Sequence, residues 1–572
     1  MKSLWSDSTA EQYSSPLEQR VYTSRLLGCE PALVLHGGGN TSVKDTVDNF
    51  FGEAEELLYV KGSGWDLATI EAPGFAPVKM DTLMKMAALD DLSDFDMVKY
   101  QRAAMTDPSA PNPSVEAILH ALIPFKFVDH THTDAVVTIT NTPDGEANIR
   151  EVFGKKVFII PYVMPGFALA KLVYQMTKDI DWSELEGMVL LNHGLFTFAD
   201  NAKESYEKTI ELVSKAEGFI VTRNASITVE PQADQVLNST ELMGLANIRR
   251  KVSKVKTMPT IANFNSSDIA QVFAKQANLR SIATRGPLTP DHVIRTKRIP
   301  AIINEGADIK VEAEIGVVDF VSQYHDYFAT HKTDETCLNP APNFAIWQNK
   351  GSISFGKNIK ETLVTQDITE HTFASILTAE KLGSYQALPE KDIFDVEYWS
   401  LEQAKLKKTS NVAPLAGQIV LVTDACSEIG ASTIGGLLKQ GASIIAVDNK
   451  DDVTSLYNKP DCKGIKADDA TMNAAVELAV RSFGGLDIVI NGSGSESVVD
   501  YAAPYQAIGF NASVISVSVD AAVVNNIGTT NIRANQLNTR TNAKPEEVSA
   551  MIITMVGATF HNVNNATIVI GE

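Results

Sequence analysis

The chain alternates between two spacings of hydrophobic residues. Runs rich in β-branched and aromatic residues, "PALVLHG", "ELLYVKGS", "FVDHTHTDAVVTITN", "KVFIIPYV" and "MVLLNHGLFTF", predict strands. Segments with apolar positions three and four apart, such as "SVEAILHAL" and "AKESYEKTIELVSKAEGFI", predict helices. Their alternation predicts an α/β layering in a first block ending near residue 235. There a polar stretch, "ITVEPQADQVLNSTE", interrupts the pattern, and later "LEQAKLKKTSNVAPLAG" runs from a charged helix end into a proline-containing linker. Beyond it, "QIVLVTDACSEIG" opens a strand, turn and helix. The predicted domains are 1–235, 236–405 and 406–572.

The middle block echoes the first. "IWQNKGSISFGKNIKET" resembles "LLNHGLFTFADNAKES", with Asn349 157 positions after Asn192. "PDHVIRTK" resembles "VDHTHTDA", with His292 162 positions after His130. Two echoes at nearly one offset predict an internal duplication. In this alignment His292 matches His130, but Ile294 faces His132 and Lys350 faces His193, so the second copy is degenerate.

Composition narrows the classes. A chain of 572 residues with 44% hydrophobic and 21% charged residues exceeds one hydrophobic core. A net charge of -21 repels phosphate backbones and excludes nucleic acid as an expected partner. No apolar run is long enough to span a bilayer and the opening residues are unlike a signal peptide, so a cytoplasmic protein without a membrane partner is expected. Cys29, Cys337, Cys426 and Cys462 form no CxxC pair and read as reduced structural thiols.

The candidate chemistry lies in the first block. Residues two apart on a strand share a face, so His130 and His132 of "HTHT" can converge on one ion with bonds of roughly 2.0 to 2.1 Å. His193, in the Asn-His-Gly turn of "LLNHGLF", is a candidate third ligand, and three histidines leave an open position suited to catalysis. Glu116, in "PNPSVEAILHAL", is a candidate base beside the ion. The competing reading is a first-turn glutamate answering the helix dipole, with Ser114 as N-cap. His120, one turn on and on the same face, reads as structural or as a support behind the site. The glycine-rich turns of "LHGGGNTSVKD" and "VKGSGWDL" are expected to follow strands and offer backbone N–H groups to a phosphate.

On "GGNTSVK", "KGSGWD", "PSVE", "HTH" and "NHG", occurring in that order, the first block resembles the class II aldolase/adducin family. The resemblance implies that Asn40, Ser63, Gly64 and Ser114 hold a substrate phosphate. It implies that His130, His132 and His193 bind Zn2+ or another divalent metal, and that Glu116 is the acid–base. Its aldolases cleave ketose 1-phosphates of the rhamnulose and fuculose type, and related 4-epimerases carry Asp where Glu116 stands. The implied fold is a class II aldolase-like α/β/α domain, and the implied assembly is a homo-oligomer, tetramer or dimer.

On the stretches "RVYTSRLLG", "RGPLTPDHVIRTK" and "ALPEKDIFDVEYWSLEQAKL", the whole chain resembles aldolases fused to a short-chain dehydrogenase, which implies a C-terminal Rossmann-like domain. That family opens with TGxxxGIG, and here "TDACSEIG" puts Asp424 and Glu428 at the first two glycines and keeps Gly430. A carboxylate about 4 Å from a phosphate oxygen costs about 4 kcal/mol at an effective dielectric of 20. Asp448 stands where a ribose-binding acid would. Tyr501 and Tyr505 lack the lysine four residues on that the family's Tyr-xxx-Lys requires, and residues 495–529 look short for its catalytic helix. The expectation is a truncated domain with NAD(P) binding weak or absent. An active dehydrogenase, a sugar-phosphate epimerase and a non-catalytic scaffold are the alternatives.

Overall fold

The first sheet comprises β1 (Asn40–Asp48), β2 (Ala54–Lys61), β3 (Phe75–Lys79), β4 (Phe127–Thr131), β5 (Val157–Ile160), β6 (Gly187–Leu190) and β7 (Gly194–Ala199), in the order β3-β2-β1-β4-β7-β6-β5. These belong to a computed structural model that describes residues 1–233, 235–407, 412–519, 532–540, 543–557, 560 and 562–570. Only β5 and β6 run parallel; the other neighbours are antiparallel.

Strand alternation divides the packing between two faces. Val189 and Leu195 join a core with Tyr206, Ile210 and Val213 of the helix Ala202–Thr222. Met188, Leu190, Phe196 and Phe198 join another with Leu169 and Val173 of the helix Phe167–Met176. The sheet therefore lies between helical layers, as expected. "PALVLHG" departs from expectation, because Leu33 and Val34 fill the core from a turn, their N–H groups donating to Glu30 O. The first glycine turn consequently precedes a strand instead of following one.

All five residues of β4 are buried, and its two faces carry different chemistry. On one face Asp129 pairs with Arg20 of the helix Pro16–Gly28 at 2.5 Å, both side chains fully buried. Ser205 of the helix Ala202–Thr222 donates to the same carboxylate. On the other face His130 stacks on Phe196. The Arg20 helix starts from a capping box in which Ser15 and Glu18 satisfy each other's backbone N–H, with Pro16 at its first position.

The second sheet, β8 (Ile261–Asn265), β9 (Ala301–Ile303), β10 (Phe344–Trp347) and β11 (Gly351–Gly356), has the order β8-β11-β10-β9. Its pairing senses repeat those of β4-β7-β6-β5. β10 and β11 lie 157 positions after β6 and β7, and the turn residues Asn192 and Asn349 share left-handed backbones, φ 59 and 63. The duplication is therefore structural, but the proposed match of His130 to His292 fails. His130 pairs with Phe196 and Phe264 with Ile353, which is 157 positions after Phe196, so Phe264 takes the place of His130. His292 instead ends a short 3-10 turn, and sequence likeness there had no strand register behind it. At the position of His193, Lys350 pairs with Glu241.

The third sheet contains β12 (Ile419–Thr423), β13 (Ser443–Asp448), β14 (Asn458–Lys459), β15 (Cys462–Lys466), β16 (Ile488–Asn491), β17 (Ser513–Val519), β18 (Arg533–Thr539) and β19 (Thr567–Ile570). Its order, β14-β15-β13-β12-β16-β17-β18-β19, contains the 3-2-1-4-5-6 arrangement of a doubly wound sheet, all parallel except the β14 edge. All six strands of that arrangement are therefore present in the block that the sequence reads as shortened. Residues 520–531, which overlap the end of the stretch 495–529 that looks short for the catalytic helix, lie outside the described residues, as does part of the expected linker, 408–411.

Each sequence block carries its own sheet, yet packing divides the chain into two compact units. One is Met1–Thr228 with Ser281–Ile299 and Glu370–Lys408; the other is Val229–Arg280 with Pro300–Thr369 and Thr409–Glu572. Parts of the middle block therefore pack within the first unit. Among the described residues no helix is long and apolar enough to cross a membrane, and the four cysteines are free.

Removing Asp129 strands a buried guanidinium, which typically costs about 3–5 kcal/mol. Asp129→Ala is expected to lower the first denaturant-unfolding midpoint accordingly; a midpoint within experimental error of wild type would contradict the pair's structural role.

Candidate metal centre

Two chain segments deliver the three histidines. His130 projects from β4, His132 follows one residue beyond that strand, and His193 sits in the turn between β6 and β7. The left-handed Asn192 makes that turn tight, and His193 N–H donates to Leu190 O at 3.1 Å. Gly194 admits the close approach: a Cβ there would lie 2.4 Å from Thr131 O and 2.9 Å from His130 Cε1. The ring centroids are 4.8 to 5.1 Å apart, and one ligand nitrogen from each residue lies within 4.8 Å of the others.

The donor chemistry fits a cation. His130 Nδ1–H donates to Leu195 O at 3.2 Å, which leaves Nε2 carrying its lone pair, and His132 Nε2 stands 3.0 Å from it. Two nitrogens bonded tetrahedrally to one zinc would be roughly 3.3 Å apart. Burial, reinforced by neighbouring imidazoles, pushes His130 and His132 well below the ordinary histidine range, which favours the neutral form that a cation requires.

Glu116 is not a first-turn glutamate. It occupies the N-cap of the helix Ala117–Leu122 without making a capping bond, and its carboxylate is buried. Oε2 lies 3.7 Å from His130 Nε2 and accepts from Asn40 Nδ2 at 2.5 Å, while Oε1 has no hydrogen-bond partner. Ser114 Oγ accepts from Glu116 N–H at 3.3 Å instead of capping a helix. Asn40 enters because β1 aligns it opposite His130. His120 Nε2 donates to Asn40 Oδ1, and Ser42 Oγ donates to His120 Nδ1 at 2.8 Å. Burial lowers His120 to about 3, consistent with that neutral tautomer.

The second glycine turn lies beside this set. Ser114 N–H donates to Lys61 O and Ser63 N–H to Asn112 O, bringing Ser63 and Ser114 onto adjoining backbone segments. The N–H groups of Gly62 and Ser63 are therefore engaged by backbone carbonyls, contrary to the expected open cradle. Gly64 has φ +87 and open space where a Cβ would stand.

Sequence reasoning missed two members. Asp291 Oδ2 stands 3.4 Å from His132 Nδ1 and 3.7 Å from His193 Nε2. Asn141, buried, accepts through Oδ1 from Asn192 Nδ2 at 2.7 Å. Neither position carries a local signal: the aspartate is distant in sequence, and the asparagine follows a helix without a motif.

In the third sheet's first turn, Asp424 takes a left-handed backbone, φ 56, and it and Glu428 are exposed. Gly430 packs so that a Cβ would meet Asp424 O at 2.2 Å. Asp448 accepts from Cys426 N–H at 2.8 Å and Lys450 N–H at 3.1 Å. Two carboxylates thus occupy the turn where a dinucleotide's pyrophosphate would need close backbone approach.

Known proteins give the context. The family profile "Class II Aldolase and Adducin N-terminal domain" matches residues 18–220, and "Aldolase class II, second domain" matches 240–406. The uncharacterized oxidoreductase YuxG of Bacillus subtilis (strain 168) is 30% identical over 522 residues, covering 86% of this chain and 75% of that protein. The N-terminal class II aldolase domain of a conserved protein from Thermoplasma acidophilum is 43% identical, covering 38% of this chain and 99% of that one, with a TM-score of 0.36. A short-chain dehydrogenase/reductase, glucose/ribitol dehydrogenase, from Brucella melitensis is 15% identical, covering 27% of this chain and 94% of that one, with a TM-score of 0.23. With both aldolase domain profiles matched in order and a relative alike over most of both lengths, the chain belongs to the class II aldolase/adducin family, its aldolase part fused to a short-chain dehydrogenase-like domain.

Proposed function

We propose that the protein is a divalent-metal-dependent aldolase that cleaves a ketose 1-phosphate of the rhamnulose or fuculose type to dihydroxyacetone phosphate and an aldehyde. The observation carrying this reading is the buried carboxylate of Glu116, 3.7 Å from His130 Nε2, with one oxygen lacking a partner. His130, His132 and His193 would hold the ion, zinc by preference, whose charge polarises the ketose oxygens. Breaking the C3–C4 bond turns the C4 hydroxyl into the aldehyde and frees its proton, and Glu116, its carboxylate fixed by Asn40, returns a proton to C3 of the three-carbon phosphate. Asn40 keeps a second amide hydrogen which, with Ser63, Gly64 and Ser114, addresses the phosphate. Glutamate at this position favours carbon–carbon cleavage over epimerisation.

In this reading 1–235 is the catalytic block, 236–405 its degenerate copy and 406–572 a scaffold. A scaffolding role draws support from Arg249 of the helix Ser239–Lys256, which binds the Asp487 carboxylate at 2.9 and 2.6 Å. Asp487 also accepts from Ile419 N–H and Phe510 N–H, so one buried pair ties the copy to the β12 region. We expect a homo-oligomeric protein in the cytoplasm.

Incubation with L-rhamnulose and L-fuculose 1-phosphates is expected to release dihydroxyacetone phosphate; a 4-epimer without cleavage would identify an epimerase. Glu116→Gln should lower turnover by about 10² to 10⁴ while retaining metal, and undiminished turnover would remove its acid–base role. An NAD(H) fluorescence titration should not saturate by about 1 mM, where a binding free energy of only about 4 kcal/mol half-fills a site. Tight saturable binding would restore the dehydrogenase alternative.

A further inference from the structure

We propose that Asp291 is a positioning residue of the histidine site, supplied by the second aldolase-type block to a centre that the first block otherwise builds. The inference rests on the metal reading above. An imidazole that ligates through one nitrogen presents a proton on the other, and an acceptor there fixes tautomer and ring orientation. His130 has that acceptor in Leu195 O. For His132, Nε2 faces His130, so Nδ1 points outward, and Asp291 Oδ2 waits 3.4 Å away. That is about 0.2 Å beyond ordinary N–H···O range, a gap that a small side-chain rotation closes. The same oxygen lies 3.7 Å from His193 Nε2, so one negative charge faces two of the three rings.

The segment carrying Asp291 is anchored at several points within the first compact unit. Gly286 O accepts from Tyr385 OH at 3.1 Å, and Leu288 O accepts from Asn141 Nδ2 at 2.7 Å. Beyond Asp291, Val293 packs against Leu388, Ile393 and Val396, and Lys297 pairs with Glu397 at 3.0 Å. Asn141 supplies the link to the ligands. Its Nδ2 holds the Asp291 segment and its Oδ1 holds Asn192, the residue before His193. One buried amide thereby sets the second block's carboxylate and the first block's third histidine in common register. The duplicated block has thus lost its own ligand positions and kept a contribution to its partner's.

The test compares wild type, Asp291→Ala and Asp291→Asn after chelation, measuring Zn2+ and Co2+ affinity by competition with a chromophoric chelator and recording the visible spectrum of the Co2+ forms. Asp291→Ala is expected to bind about 10- to 100-fold more weakly and to shift the Co2+ bands. Asp291→Asn, which keeps an oxygen acceptor, is expected to recover part of both, with the unfolding midpoint of the metal-free protein unchanged. If the alanine variant does not fold, the isosteric asparagine variant decides alone by its affinity and spectrum. Variant affinities within twofold of wild type, with superimposable Co2+ spectra, would overturn the role of Asp291 and leave the metal reading intact. A wild type that takes up neither ion would overturn the metal reading, and this inference with it.

Discussion

The Arg20–Asp129 pair fixes what the rest of the site depends on, the position of β4. Both groups are fully buried, where an unpaired charge is too costly to persist, so the helix Pro16–Gly28 and β4 are held at one relative placement. Because strand side chains alternate, the carboxylate beneath the sheet determines the imidazole above it: with Asp129 facing Arg20, His130 faces Phe196 and Glu116. Neighbouring strands then add members by register. β1 sets Asn40 opposite His130, and the turn into β7 presents His193.

Much of this was legible in the sequence because its signals are local. "HTH" at a strand end, "NHG" in a turn and "PSVE" at a helix start each announce a placement that short-range geometry enforces. Long-range features were not legible in this way. The echo between "PDHVIRTK" and "VDHTHTDA" matched letters without a strand to align, and β-pairing moved the counterpart of His130 to Phe264. Asp291 escaped notice because only the fold returns residues 281–299 to the first unit. The backbone bonds that engage Gly62 and Ser63 were likewise invisible, since their acceptors belong to separate turns.

The duplication and the third domain follow one rule: the architecture persists while the charged groups change. Second-block strands retain the pairing senses of the first, yet Phe264 and Lys350 stand at the positions equivalent to His130 and His193. The C-terminal sheet keeps its doubly wound order, yet Asp424 and Glu428 stand at its first turn and Asp448 binds its own backbone. Packing constrains the hydrophobic layers, and function constrains only the few polar positions that touch a ligand.

The proposed chemistry requires a divalent ion held by His130, His132 and His193. Elemental analysis of purified wild type beside His132→Ala tests it most directly. About one zinc or comparable divalent ion per chain is expected, lost in the variant while the fold is retained. A well-folded wild type that remains free of metal after zinc is supplied would contradict it.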